Sequence, residues 1–186
     1  MKALLASTNE HKLSELRRAL PGWEIRTPDG SSREMPAETG TTFLENARLK
    51  AAWGREAAAD DEWALGEDSG IEVAALGGRP GVESARWADD GVARLLAELA
   101  EATDRRARYV CSLVAVAPDG RQVTVAGTLP GRLTKEPRGQ QGFGYDPIFV
   151  PEGEARTVAE LGNDWKTEHS HRARAAAALA QALAGS

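Results

Sequence analysis

One cysteine, Cys111, is present in 186 residues, and its solitude excludes both an internal disulfide and a thiolate metal cage, each of which needs a second thiol. Cys111 lies in an apolar run at 109–116, where a buried structural thiol is expected in preference to a nucleophile. No apolar run approaches the roughly 20 residues of a membrane span, and no apolar signal region precedes a cleavage site. A cytoplasmic location is therefore expected. Basic excess is missing too: 23 Lys and Arg face 28 Asp and Glu, a formal net charge of -5. That balance argues against duplex nucleic acid as the main ligand, because phosphate-backbone binders carry a basic stripe. A small phosphorylated ligand needs only a local cluster of Lys and Arg. Internal repeats and low-complexity segments are also missing, and the length suits one domain, residues 1–186.

The sequence is most informative at 64–87, ALGEDSGIEVAALGGRPGVESARW. A short apolar run leads to Glu67 and Asp68, and Ser69-Gly70 then reads as a turn, so the stretch predicts a strand delivering two acids to a turn. Acids at a strand end suggest a metal and an activated water; a solvated strand-to-turn junction has the same appearance. Upstream, residues 2–6 read as a buried strand and STNEHK (7–12) as a polar turn opening a helix with Leu13, Leu16 and Leu20 on its apolar side. Ser7 and Glu10 have capping-box spacing. The alternative use of the turn is an anion site, built from free backbone N–H groups with Thr8, Asn9 and Lys12 beside them. The glycine pattern of a Walker loop is absent. A second strand is expected at 23–27 and a polar loop at 28–41. In that loop Glu38 matters only if something brings it to Asp68.

Residues 42–59 read as a helix on which Asn46 is a surface residue by default, and another helix is expected at 92–102. Asp119-Gly120 between alternating segments is a strong hairpin signal joining strands at 109–117 and 122–129. The passage at 135–147 sets Phe143 and Tyr145 among glycines, which suits close approach to a flat base or a pair of core aromatics anchoring a loop. An alanine-rich helix follows, with Ser170 as N-cap and Gly185 past its end. Arg172, and His171 when protonated, put positive charge at the wrong end of that helix dipole. An electronegative ligand or an internal carboxylate would offset the conflict. The two histidines at 169 and 171 lack supporting partners at metal-ligand spacing.

These clusters resemble one family, the inosine triphosphate pyrophosphatases, also called non-canonical purine NTP or dITP/XTP pyrophosphatases. The resemblance rests on STNEHK (7–12), ETGTTFLENARLKA (38–51), EDSGIEVAALGGRPGVESAR (67–86), GQQGFGYDPIFVP (139–151) and SHRARA (170–175), in family order. It implies an α/β fold, an elongated mixed β-sheet with flanking helices forming two lobes around a central cleft, and a homodimer. It also implies magnesium-dependent hydrolysis of ITP, dITP and XTP to the monophosphate and pyrophosphate. Asp68 resembles the general base and a metal ligand, and Glu38 the second magnesium carboxylate. Thr8, Asn9 and Lys12 match the triphosphate-binding turn, and Ser69, next to the general base, is expected to touch the nucleotide; Phe143, Gly144, Tyr145 and Asp146 match the nucleoside pocket; Lys166, His171 and Arg172 match residues that hold base and phosphates. The sequence departs from the family where Glu67 replaces a frequent aspartate, at Thr167 and His169, and where Ala173 replaces a frequent glycine. Two other readings compete: a pyrophosphatase for modified pyrimidine nucleotides, and a nucleotide-binding sensor without hydrolysis.

Overall fold

The computed structural model describes residues 1–29 and 34–185; the part of the expected polar loop at 30–33 lies outside the described residues. In chain order the elements are β1 (Lys2–Leu5), α1 (Glu10–Ala19), β2 (Glu24–Arg26), α2 (Phe43–Ala57), β3 (Trp63–Val73), α3 (Gly91–Glu98), β4 (Arg106–Val116), β5 (Gln122–Leu133), β6 (Phe149–Pro151), α4 (Val158–His169) and α5 (His171–Ala184). The strands form one mixed sheet in the order β2-β1-β3-β4-β5-β6. β1 pairs in parallel with β2 and β3, and β3 through β6 pair antiparallel. The α/β class, the helix boundaries to within a few residues and the 118–121 hairpin agree with expectation. Among the described residues no helix is long and apolar enough to cross a membrane.

One expectation fails at the most informative stretch. Ser69-Gly70 is not a turn: β3 runs unbroken from Trp63 to Val73 and pairs with β4 along residues 64–73. Gly70 is there for proximity, since a Cβ on it would collide with Ser84 Oγ and Gly81 O from the following loop. Gly66 serves the same purpose on the side of α2, where a Cβ would run into Ala47 O and Ala51 N. Both glycines therefore mark close approach of a second backbone to a strand.

Because neighbouring strand residues point to opposite faces, β3 serves two sets of partners. On one face Leu65, with Cys111, Leu113 and Ala115 of β4, packs under α1 and α5 in a first apolar cluster. Further along the same face Ile71 and Val73 join Tyr109, Leu129, Leu133 and Phe149 in a second. Glu67 and Ser69 fall between the two clusters. On the opposite face α2 covers Val114 through Ala47 and Ala51, next to Asp68. The buried thiol of Cys111 is as expected, fully enclosed and with its pKa pushed well up, chiefly by burial and then by the charge of Glu67.

Candidate active site

β1 ends at Leu5, and the last bond from its side is Ala6 N–H to Leu65 O at 2.8 Å. Further on, the loop after β3 closes the same edge, with Ser84 Oγ accepting from Ile71 N at 2.8 Å and Glu72 bridging Pro80. Between these two closures the edge of β3 carries Glu67, Asp68 and Ser69. The acids thus sit in mid-strand, at a gap left by its neighbours.

On the α2 face, Asp68 Oδ2 accepts from Asn46 Nδ2 at 3.0 Å and Oδ1 accepts from Lys50 Nζ at 3.1 Å. Lys50 also donates to Glu67 O at 3.2 Å and pairs with Glu38, whose other oxygen meets Arg86. Glu38 is thus brought to Asp68, as the resemblance requires, through a shared ammonium group. Asn46 also accepts from Gly40 N–H at 2.8 Å, which ties the loop bearing Glu38 to α2. The helix start is set by a capping box between Thr42 and Glu45. Asn46 is not the surface residue expected from the sequence; it is fully buried. The sequence carries a signal for this: Phe43, Asn46, Ala47, Lys50, Ala51 and Gly54 follow i, i+3, i+4 spacing, so Asn46 and Lys50 are polar positions on the buried stripe. Neither is among the site residues expected from the sequence.

Burial raises the pKa of Asp68, opposed by Lys50 and Lys12 and by the Asn46 hydrogen bond, with Glu67 reinforcing the rise. For Glu38 burial acts upward as well, but Lys50 and Arg86 outweigh it and its pKa ends below the usual value. Lys50 loses charge stability to burial and regains more from Asp68 and Glu38, so its pKa is raised.

On the α1/α5 face, Glu67 is fully buried between two cations. Lys12 Nζ lies 2.7 Å from Oε2, while Arg172 Nε and Nη2 donate to Oε1 at 3.2 and 3.1 Å. Burial alone would raise its pKa; Lys12 and Arg172 hold it well below the usual range. Arg172 Nη2 also donates to Ser69 Oγ at 2.8 Å, and Nη1 pairs with Glu15. These internal carboxylates offset the positive charge in the first turn of α5, whose N-cap is Ser170 as expected. His171 adds no charge there: burial and then the Arg172 charge press its pKa well down, and its ring stacks on Tyr109 at 4.7 Å.

α1 is capped by Asn9 and not by the expected Ser7–Glu10 box. Asn9 Oδ1 accepts from His11 N at 3.0 Å and Lys12 N at 3.2 Å, which occupies two of the helix's first N–H groups. Thr8 stays exposed beside it. From Glu15 the ion pairs continue through Lys166 at 2.5 Å to Asp146 at 2.7 Å. Asp146 also accepts from Phe143 N at 2.9 Å and Tyr109 OH at 3.1 Å; its pKa is raised by burial against the pull of Lys166. Phe143 is half-buried and Gly144 exposed. Tyr145 is turned into the second apolar cluster, with its hydroxyl donating to Ser84 O at 3.0 Å and its pKa pushed up to about 12 by burial. Lys166, an expected site residue, belongs to α4, an element that the sequence expectation lacks, and Glu15 is not among the expected site residues.

Two carboxylates from separate elements thus share one ammonium at an open strand edge, with a second set of cations a residue away across the strand. Comparison with known proteins matches residues 3–182 to a model described as the Ham1 family. A dITP/XTP pyrophosphatase of Deinococcus deserti is 44% identical over 96% of this chain and 87% of its own length. One from Mycobacterium tuberculosis is 46% identical over 98% and 95%. Among solved structures, a HAM1 protein from Coxiella burnetii superposes with a TM-score of 0.85 at 35% identity, covering 100% of both chains. A nucleoside-triphosphatase / dITP/XTP pyrophosphatase from Mycobacterium abscessus gives 0.75 at 44% identity, over 96% of this chain and 98% of that one.

Proposed function

The chain belongs to the Ham1 family, and from that premise we propose that its cleft hydrolyses ITP, dITP and XTP to the monophosphate and pyrophosphate, clearing deaminated purines from the nucleotide pool. The observation that carries the reading is the convergence of Glu38 and Asp68 on Lys50 at the open edge of β3, opposite Lys12 and Arg172. Residues 1–186 act as one domain, and the homodimer implied by the resemblance and a cytoplasmic location, where the nucleotide pool is, belong to the same proposal.

Magnesium suits the donor set. It prefers oxygen ligands and is commonly held by one or two carboxylates plus substrate phosphates. The Lys50 ammonium already places a positive charge between Glu38 and Asp68. Bound to these carboxylates, the ion supplies charge neutralisation for the triphosphate and Lewis acidity. The chain's own residues supply the rest. Asp68, oriented at both oxygens by Asn46 and Lys50, takes the proton of the water that attacks the α-phosphorus. Lys12, Ser69 and Arg172, with Thr8 and Asn9 at the start of α1, face the phosphates. Phe143 offers the base an aromatic face on a loop fixed by Asp146 and Lys166. Donors from Lys166 and Arg172 favour a 6-oxo purine, since adenine presents an amino donor at that position.

The test is a nucleotide panel with magnesium and product identification. ITP, dITP and XTP should turn over fastest and release pyrophosphate, and Asp68→Asn should lower kcat by about 10²–10⁴-fold. Pyrimidine substrates turned over as fast would sink the purine reading. Release of orthophosphate would exclude attack at the α-phosphorus, and tight ITP binding without product would mean a sensor.

A further inference from the structure

Phe143 lies between Gly142 (φ 80°) and Gly144 (φ 60°), both in the left-handed region that glycine adopts freely. A Cβ on Gly142 would collide with the Asp146 carboxylate. The Phe143 N–H donates to that same carboxylate at 2.9 Å, which is 3% exposed as a residue and held by Lys166 at 2.7 Å. The aromatic platform is therefore rigid. Three cationic or aromatic side chains lie against its ring: Lys166 Nζ at 4.5 Å from the centroid, the Arg172 guanidinium at 5.8 Å and the His11 imidazole at 4.9 Å, only 14° from coplanar. Lys166 and Arg172 are buried and tied down by ion pairs. His11 is exposed, on the first turn of α1, and its ring makes no hydrogen bond among the described residues.

A flat base sandwiched between two rings needs them about 7 Å apart, twice the optimal contact distance. The separation of 4.9 Å leaves no such space. We infer that His11 is a stand-in for the nucleobase: its imidazole covers Phe143 in the free protein, and a purine, whose five-membered ring is itself an imidazole, takes its place. This rests on the reading of the cleft as a purine nucleotide site. Its consequence is selective. A ligand with a base pays for displacing the imidazole, lowering apparent affinity by the fraction of molecules with the platform open, whereas a ligand that is only phosphate pays nothing.

Titration calorimetry of the whole protein with inosine monophosphate and, separately, inorganic tripolyphosphate tests the inference. His11→Ala should tighten monophosphate binding by about two- to tenfold, the range of an aromatic pair, with tripolyphosphate affinity unaltered. His11→Phe, which strengthens the stack, should weaken the monophosphate. Weaker or unchanged monophosphate binding by His11→Ala would overturn the inference, as would equal shifts for both ligands, which would make His11 a phosphate contact. Failure of the unaltered protein to bind the monophosphate would overturn the purine-site reading as well, so the two failures are distinct.

Discussion

Burial raises the pKa of Asp68, and Lys50 is the largest of the influences pulling it back. A general base works only deprotonated, so activity falls as pH drops through a pKa raised from the ordinary aspartate value. Lys50→Met removes the pull, and the acid limb of the kcat/KM profile should move to still higher pH; an unmoved limb would mean that Asp68 is not the group titrating. Glu67 responds in the opposite direction. Its folded pKa is depressed, so the stabilisation is fully present above the unfolded value of about 4.3 and is lost as pH falls toward the folded one. Glu67→Gln takes the buried counter-charge from Lys12 and leaves Arg172 with Glu15 alone, and should cost about 3–5 kcal/mol in urea denaturation at pH 7. The variant should also lack the wild-type loss of stability below about pH 4.3. In the sequence the two acids look like equals. What separates them is the parity of a strand whose Ser69-Gly70 looks like a turn, together with partners far away in sequence: Glu67 meets Lys12 and, across 105 positions, Arg172.

At the scale of elements, function depends on how closely α2 approaches β3. Gly66→Ala inserts a methyl group against Ala47 O and Ala51 N, and overpacking of this kind costs about 1–3 kcal/mol. Because Asn46 and Lys50 flank those residues on the same helix face, kcat should fall by more than the stability loss accounts for; a variant with normal kcat would show that the approach is not needed. The elements themselves are largely legible: the apolar pattern marks α1 and α2, alanine content and the caps Ser170 and Gly185 mark α5, and Asp119-Gly120 marks the β4–β5 hairpin. β3 was cut short because Ser-Gly is turn chemistry, whereas here the glycine admits Ser84 and Gly81. α4 escaped because Gly162, at φ 89°, interrupts the helix and breaks its pattern. Asn46 departs from the surface position that polar residues take by default, because its spacing puts it on the buried stripe.

For the whole molecule, the long strands β3, β4 and β5 run through both apolar clusters, and the charged residues occupy the interval between them. The α/β class and the family motifs were visible in the chain; the ion-pair path from Glu67 through Arg172, Glu15 and Lys166 to Asp146 was not, since it joins residues with no local relation in sequence. If Glu38 and Asp68 hold magnesium, the ion should raise the melting temperature without any nucleotide, by about 2.7 kcal/mol of stabilisation at one hundred times its Kd. Glu38→Gln should abolish that rise, and a magnesium effect that survives the substitution would place the ion elsewhere.

The alternation along β3 also limits how the chain can change length. A residue added in the loop ahead of Trp63 or after Val73 leaves every β3 side chain on its own face. One residue added or removed between Leu65 and Glu67 would instead rotate the acid meant for Lys50 and Asn46 toward Arg172, and the other way about, in a single genetic event. Length variation among proteins built on this plan is accordingly expected in loops, or within the strand only in steps of two.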